Sequence, residues 1–440
     1  MTACADPGGT ISFRPLNVGR VFLWSGTAVV LLLLPLAFTH GFALTLLSQM
    51  GLLIIFALSY NMLLGQSGML SFGHAVYAGL GAFFSIHALN LIGTGTLLPV
   101  ALLPLVGGAS AALFGVVFGY VTTQRAGTPF AMITLGIGEM VAAASLMLPG
   151  FFGGEGGITG NRTVGAPLFG IAGLNLGSQL QVYYLIACWC LVSMAAMYAL
   201  TQTPLGRIAN AVRDNPERAQ FVGYNPQRVR WLMLILSSFF AGISGALTAI
   251  NFEIVSAENV GAARSGAVLL ATFMGGAAFF FGPILGAIVI VLFAVALSEI
   301  SKAWLLYLGL AFVLQVMFAP GGLASLVLMN LRVIRLGRFQ RLRDPYLGVL
   351  TTVAVLVAGV VLLIEITYHH SLDLALGPAI SIAGVRVDTT RPEVWAVALT
   401  LLAAGAAGFA HARRHFMQEW SAIAQEIEDH LRQHPVEVAR

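Results

Sequence analysis

Apolar runs of roughly twenty residues recur along this chain, each long enough to cross a hydrocarbon core about 30 Å thick at about 1.5 Å rise per residue. Reading each run as a helix predicts twelve spans: 21–39, 42–64, 74–92, 97–120, 130–148, 181–200, 231–250, 265–281, 283–300, 303–329, 346–366 and 393–410. The runs are continuous rather than alternating at every second residue, which argues against a barrel of short strands. Two places interrupt the pattern. Leu64–His74 (LGQSGMLSFGH) sets polar side chains and three glycines between apolar runs. It reads as a discontinuous helix lining a pathway or as a tight cytoplasmic turn, since non-helical backbone at membrane depth needs cover from protein or a watery cavity. Gly275-Gly276 and Gly282-Pro283 divide a second apolar stretch into two half-length pieces.

The longest polar break between spans that carries its own helical signals is Thr201–Arg230 (TQTPLGRIANAVRDNPERAQFVGYNPQRVR). Proline follows a capping-type residue at Thr203-Pro204, Asn215-Pro216 and Asn225-Pro226, the arrangement expected at helix starts. This predicts short helices over about 204–214 and 216–223, with a third start at Pro226 running into the next span. Gly223 suits the stop of the second helix. Apolar Leu205, Ile208, Val212, Phe221 and Val222 argue for a docking surface over a merely solvated basic loop.

Composition agrees with the pattern: 58% of the 440 residues are hydrophobic and only 9% charged, with a net charge of +4. An average soluble chain is about 25% charged. Arginine placement then sets orientation. With the N-terminus inside, 17 of the 22 Lys and Arg residues fall on the cytoplasmic side, and Arg162, Arg264, Lys302, Arg386 and Arg391 fall outside. That asymmetry supports an even number of spans with both termini cytoplasmic. The basic charge therefore speaks of orientation and lipid headgroups, not of nucleic acid. Val21–Thr39 is too long for a signal h-region and reads as a retained first span.

Candidate chemistry is sparse. Glu139, in ITLGIGEMV, is the one carboxylate well inside a span, where it is expected to line a polar path or to sit neutral and bonded across helices. The same cost argument assigns Gln66, Ser67, Ser71 and His74 on the broken segment to a substrate route, with a structural hydrogen-bond role for His74 as the competing reading. The single lysine, Lys302, follows Ser301, so no G-x-x-x-x-G-K-[ST] loop exists. No HExxH occurs, the three cysteines match no zinc or redox spacing, and no cofactor is expected. Any nucleotide-driven work falls to another polypeptide. No convergent His/Asp/Ser or metal constellation marks the chain as a membrane enzyme.

Four segments then resemble, in order, the permease subunits of branched-chain amino acid ABC transporters of the LivM type. They are LSYNMLLGQSGMLSFGHAVYAGLGAF (58–83), AGTPFAMITLGIGEM with FFGGEGGITG (126–160), TPLGRIANAVRDNPERAQFVGYNPQRVR (203–230), and GGAAFFFGPILGA with FAPGGL (275–323). The resemblance covers about 42–330. It implies an ATP-driven importer for branched-chain or related amino acids in the bacterial inner membrane. Its implied partners are a second, LivH-type permease, two cytoplasmic ATPase subunits, a periplasmic substrate-binding protein and membrane lipid. It also implies that 203–230 couples to the ATPase, with Pro204, Gly206, Arg207, Arg213, Asp214, Glu217 and Gly223 as the coupling residues, Gly206 and Gly223 permitting close packing. Relatives that carry urea, short amides or aromatic acids stay open as alternatives. An ion-coupled secondary transporter is the competing class, disfavoured by the lack of paired intramembrane charges.

Three departures from the family pattern stand out. The small-polar linker is replaced by Ala277-Ala278-Phe279-Phe280-Phe281, the PRGL-like motif reads Pro320-Gly321-Gly322-Leu323, and some 110 residues follow the family's usual end. The expected fold is therefore all-α, a polytopic helical membrane protein of about ten core spans plus two extra C-terminal spans, with discontinuous helices. Its expected parts are a cytoplasmic N-terminal segment (1–20), a permease core (21–330) with the coupling loop 201–230, a basic cytoplasmic linker (331–345), an additional transmembrane pair (346–410) and a cytoplasmic amphipathic tail helix (411–440). Phe416, Trp420, Ile423, Ile427 and Leu431 recur at helical spacing along that tail and form one stripe. Glu419, Glu426, Glu428 and Asp429 outweigh Arg432, so docking on the arginine-rich cytoplasmic face is expected over binding anionic lipid.

Overall fold

The computed structural model describes residues 4–5, 11–12, 18–38, 40–92, 99–163, 176–335, 339–373, 379–382 and 385–433. The chain divides into two compact units, one of Met1–Ala296 with Phe312–Ala324, the other of Leu297–Ala311 with Ser325–Arg440.

Helices account for nearly all of the described structure. In order they are α1 (Val18–Ala37), α2 (Gly41–Ser67), α3 (Ala75–Ile92), α4 (Leu103–Thr122), α5 (Thr128–Met147), the one-turn α6 (Pro149–Phe152) and α7 (Gln179–Gln202). Next come α8 (Pro204–Asp214), α9 (Pro216–Phe221), α10 (Pro226–Phe252), α11 (Ala262–Gly275) and α12 (Gly282–Val291). The last four are α13 (Trp304–Phe318), α14 (Gly322–Arg335), α15 (Phe339–Tyr368) and α16 (Pro392–Gln433). Among the described residues, eight helices are long and apolar enough to cross a membrane, and the pair Trp304–Phe318 and Gly322–Leu331, bent by 52°, makes a ninth if it is one span. Val21–Ala37, Ala262–Gly275 and Gly282–Leu297 are shorter apolar helices. Each of the twelve apolar runs thus falls on an apolar helix or on the bent pair, and the protein is an all-α polytopic membrane protein with discontinuous helices.

The first unit is centred on α10, which α2, α3 and α4 surround. Small residues let these helices approach, the usual source of packing where water supplies no hydrophobic drive between helices. A Cβ on Gly81 would stand 2.6 Å from the Gly242 Cα, and one on Gly107 would stand 2.7 Å from the Ala246 Cβ. Hydroxyls then tie the helices together: Ser237 Oγ donates to the Ser59 carbonyl at 2.6 Å and Ser244 Oγ to the Leu52 carbonyl at 2.8 Å. Bonds of this kind between membrane helices contribute roughly 0.6 kcal/mol each.

One end of this unit carries α8 and α9. The other carries a two-residue antiparallel pairing of Ile158–Thr159 with Ile254–Val255. There Arg162 reaches the C-terminal end of α10, its backbone N–H donating to Glu253 Oε1 at 2.8 Å and its Nη1 to the Asn251 carbonyl at 3.0 Å. A cation at the carbonyl end of a helix complements the helix dipole. Glu253 itself ends α10 in the left-handed region, φ 57°.

The second interruption of the sequence pattern is a tight hairpin of α11 and α12. Gly276, at φ +107°, makes the turn, and Gly286 lies directly on the Ala271 backbone. Phe280 and Phe281 pack on Tyr198 at 5.4 and 5.8 Å between ring centroids, and Phe281 lies 6.2 Å from Trp24. Phe280 and Phe281 thus bring an aromatic cluster to the hairpin turn. Gly322, at φ +76°, sits against Gly276, so the arginine-less PGGL stretch closes on the same turn.

In the second unit α15 and α16 form an antiparallel hairpin packed through glycines: a Cβ on Gly405 would stand 2.6 Å from the Leu356 Cα, and one on Gly359 2.7 Å from the Leu402 nitrogen. Glu365 of α15 accepts hydrogen bonds from Ser301 Oγ and, at 2.9 Å, from Tyr307 Oη. Helix α16 runs unbroken through 42 residues, so the last span and the start of the tail are one helix. Phe416 and Trp420 pack on Val333, Leu342 and Tyr346. The side chains of Ile423, Ile427 and Leu431, together with Glu426, Glu428, Asp429 and Arg432, lie outside the described residues, as do most of 1–20 and residues 336–338 of the basic linker.

Candidate functional site

Helices α8 and α9 start where proline follows a capping residue. Thr203 Oγ1 accepts from the Gly206 N–H at 3.4 Å, Asn215 Oδ1 from Arg218 at 2.9 Å, and Asn225 Oδ1 from Gln227 and Arg228 at 3.0 and 3.2 Å. Each such cap contributes about 1 kcal/mol. Pro204 and Pro216 occupy the first helical positions, where a missing N–H costs nothing. Gly206 is buried where its Cβ would stand 2.5 Å from the Leu200 carbonyl oxygen, so this end of α8 packs closely on α7. Gly223 follows the end of α9, where the sequence predicts a helix stop. Nothing lies within 4 Å of where its Cβ would be, but its φ of +95° requires glycine's backbone freedom. It turns the chain out of α9, with Tyr224 N–H on the Ala219 carbonyl at 3.0 Å.

The outward face of this element is exposed. Phe221 is 91% and Val222 71% exposed, with Arg207, Arg213, Asp214 and Glu217 also on the surface. Between the two helices lies a groove of about 390 Å³ lined by Arg207, Ile208, Asp214, Arg218, Val222 and Tyr224. Large exposed apolar side chains rimmed by charge mark a surface that something covers.

The break between α2 and α3 begins at the same end. Gly68, at φ 69°, caps α2, its N–H bonding the Leu64 carbonyl at 3.0 Å. The chain then runs back alongside α2 without helix. Tyr60 Oη donates to the Ser71 carbonyl at 3.0 Å, and Ser59 Oγ lies 3.1 Å from His74 Nε2. Ser59 is about 12 Å up the helix from Ser67 at about 1.5 Å per residue. The non-helical backbone therefore reaches well into the bundle. Protein covers it: Phe72 N–H donates to Thr134 Oγ1 at 3.2 Å, Ala75 N–H to Ser265 Oγ at 3.0 Å, and Gly73 sits on the Thr134 backbone. Both readings of Leu64–His74 describe part of it, a turn at the arginine-rich end and a discontinuous stretch at depth.

The proposed pathway residues are not brought together on one open surface. Ser67, Ser71 and His74 are buried and Gln66 is partly buried. His74 is stacked on Phe56 at 5.5 Å and edged by Tyr60 and Tyr77. Ser67 Oγ donates to the Leu63 carbonyl, whereas Ser71 Oγ, His74 Nδ1 and Gln66 Oε1 are buried without a partner among the described residues. An unmet buried polar atom costs about 1–3 kcal/mol. Glu139 stands apart, exposed on the outer face of α5, while its neighbour Gly138 faces Gly73.

One contact joins the break to α8. Arg213 Nη1 donates to the Gly65 carbonyl, one of the last carbonyls of α2, which have no helical partner. The aliphatic part of Arg213 also packs on the cap: a Cβ on Gly68 would stand 2.8 Å from Arg213 Cγ. On its solvent side Arg213 Nε meets Asp214 Oδ1 at 2.9 Å. The Gly65 backbone in turn touches the hairpin turn, a Cβ there standing 2.5 Å from the Ala277 carbonyl oxygen. Arg213, the helix break and the hairpin turn form one contiguous packed group.

Sequence reasoning missed a second cavity, of about 290 Å³, toward the other end of the bundle between α2, α10, α11 and the end of α12 with the π-helical turns Leu292–Leu297 that follow it. Arg264 lines it, with Gln49, Ser244 and Thr248 as the other polar side chains. The signal was present in the sequence. Arg264 stands at the start of an apolar helix, yet charge counting placed it among the outer-side residues and asked nothing more of it.

Long apolar helices interrupted at their packed centre, with a capped and exposed helical pair at one end, define the architecture of a membrane permease. Residues 42–320 match the family described as Branched-chain amino acid transport system / permease component, and the chain belongs to that family. It is 29% identical over 302 residues to the High-affinity branched-chain amino acid transport system permease protein LivM of Escherichia coli (strain K12), an alignment covering 64% of this chain and 69% of the relative. It is 27% identical over 301 residues to the protein of the same name from Salmonella typhimurium (strain LT2), with the same coverage of 64% and 69%. No solved structure matches the chain.

Proposed function

We propose that this chain is the permease subunit of an ATP-driven importer for branched-chain or related amino acids. It sits in the bacterial inner membrane with both termini cytoplasmic. It works with a LivH-type second permease, two cytoplasmic ATPase subunits, one of which receives the α8–α9 face, and a periplasmic binding protein that delivers substrate at the opposite end. The observation that carries this reading is the α8–α9 element itself. Its exposed Phe221 and Val222 await a partner, and its Arg213 is tied to the broken end of α2. A partner that moves α8 on nucleotide binding moves Gly65 and Gly68 with it.

The reading is tested by purifying the tagged chain from its native membrane. Two ATPase polypeptides should co-purify, and proteoliposomes of the complex should take up L-leucine or L-valine only with ATP and binding protein. Uptake driven by an ion gradient without an ATPase would place the chain in the ion-coupled class. ATP-dependent uptake of urea, acetamide or phenylacetate in place of the aliphatic amino acids would move it to the other substrate groups.

A further inference from the structure

Arg264 is the one arginine that lines the 290 Å³ cavity. Its Nη1 donates to Asn259 Oδ1 and its Nη2 to Thr248 Oγ1 at 3.1 Å, and its guanidinium carbon stands 5.9 Å from the centre of the Phe56 ring. All three partners are neutral. A guanidinium carries five donors, and these contacts engage two of them.

A cation held inside a helical bundle with no counter-ion among the described residues is costly, and such groups mark pathways for charged or polar substrates. Planar guanidinium is also the side chain best matched to a carboxylate, which it can hold through two parallel hydrogen bonds. The rest of the lining is mostly apolar: Leu52, Leu53, Ile290 and Val291 face the same space. The volume lies at the small end of small-molecule sites. Gln49 and Ser244 supply the remaining polar lining.

We infer that this cavity is a substrate station in which Arg264 holds the carboxylate of an aliphatic amino acid while the side chain packs on the apolar wall. The inference rests on the importer reading above and sharpens it. A charged anchor favours a carboxylate-bearing substrate over urea or a neutral amide. It also places the first permease contact at the end of the bundle opposite α8 and α9.

The test uses the full transporter complex with Cys4, Cys188 and Cys190 replaced and Leu53→Cys as reporter. A small water-soluble thiol reagent should label Cys at this position, and L-leucine should slow the labelling whereas L-leucinamide, which lacks the carboxylate, should not. Adding Arg264→Gln should abolish protection by L-leucine without loss of the partner subunits, and Arg264→Lys should restore part of it. In proteoliposomes Arg264→Gln should lower binding-protein-dependent L-leucine uptake at least tenfold. Equal protection by leucine and leucinamide, or wild-type protection and uptake in Arg264→Gln, would overturn the inference while the importer reading stands. Absence of ATP-dependent amino acid uptake by the wild-type complex would instead overturn the importer reading.

Discussion

The Arg213 guanidinium of α8 caps the carbonyl end of α2 through Gly65, and its aliphatic stem fills the space beside Gly68 that any larger residue would claim. The contact spans 148 positions of sequence. It joins the surface element proposed to meet the ATPase to the helix break at the packed centre of the bundle. Positive charge suits that helix end because the last carbonyls carry the negative pole of the helix dipole.

Gly223 separates strain from crowding. Its φ of +95° excludes most side chains, yet nothing stands within 4 Å of where a Cβ would go. Gly223→Asn should therefore retain uptake, since asparagine tolerates the left-handed region. Gly223→Val should insert and assemble but lose most ATP-coupled uptake. The uptake-to-ATPase ratio of the two variants checks this, and equal ratios would show that the turn is not needed for coupling.

The pathway assignment of the helix break is a matter of state. Ser67 and Ser71 are buried in this conformation. In a cysteine-free background, Ser67→Cys and Ser71→Cys should resist water-soluble thiol reagents at rest and become reactive during turnover with ATP and loaded binding protein. Inaccessibility in every state would leave these residues a packing role only.

Helix crossings through α10 leave no room for side-chain growth. Gly242 lies on the Gly107 and Ala111 positions of α4, and Gly245 lies on the Ala78 backbone of α3. Substitution by valine at either should cost at least the ~1–3 kcal/mol of ordinary overpacking, because backbone rather than a flexible side chain blocks the site. Thermal unfolding of the detergent-purified chain should show the loss. Gly136→Val, where no atom stands within 4 Å, should leave stability near wild type.

The start of the tail is anchored within its own unit. Phe416 stacks on Trp420 at 5.7 Å and meets Tyr346 edge-on at 4.9 Å. Phe416→Ala should cost less than the ~3–5 kcal/mol typical of a fully buried phenylalanine, because Phe416 is only partly buried. Truncation after Arg414 should spare assembly and change basal ATPase activity, measured on the purified complex. Unchanged ATPase activity, with tight binding of the isolated tail peptide to anionic vesicles, would assign the tail to the lipid surface.

Much of this architecture was legible in the chain because lipid makes strict demands. Runs of apolar residues specify spans, and Thr203-Pro204, Asn215-Pro216 and Asn225-Pro226 specified helix starts almost to the residue. These are local signals. The route of Met69–His74 back along α2 was not legible, because it depends on Thr134 and Ser265, distant in sequence, accepting its backbone N–H groups. The stop at Gly223, by contrast, was legible, because a glycine after a short capped helix supplies the positive φ that the turn needs. Glu139 was grouped with Ser71 and His74 on cost alone, and cost does not say which face of α5 it occupies. The fit of Arg264 into a cavity needed four segments in register.

The central claim is that α8 transmits to the helix break through Arg213. The most direct measurement is the number of L-leucine molecules imported per ATP hydrolysed by the reconstituted complex, for the wild type and for Arg213→Ala. The account predicts that the alanine variant assembles with its ATPase subunits and that this ratio falls at least tenfold. A ratio equal to that of the wild type would contradict it.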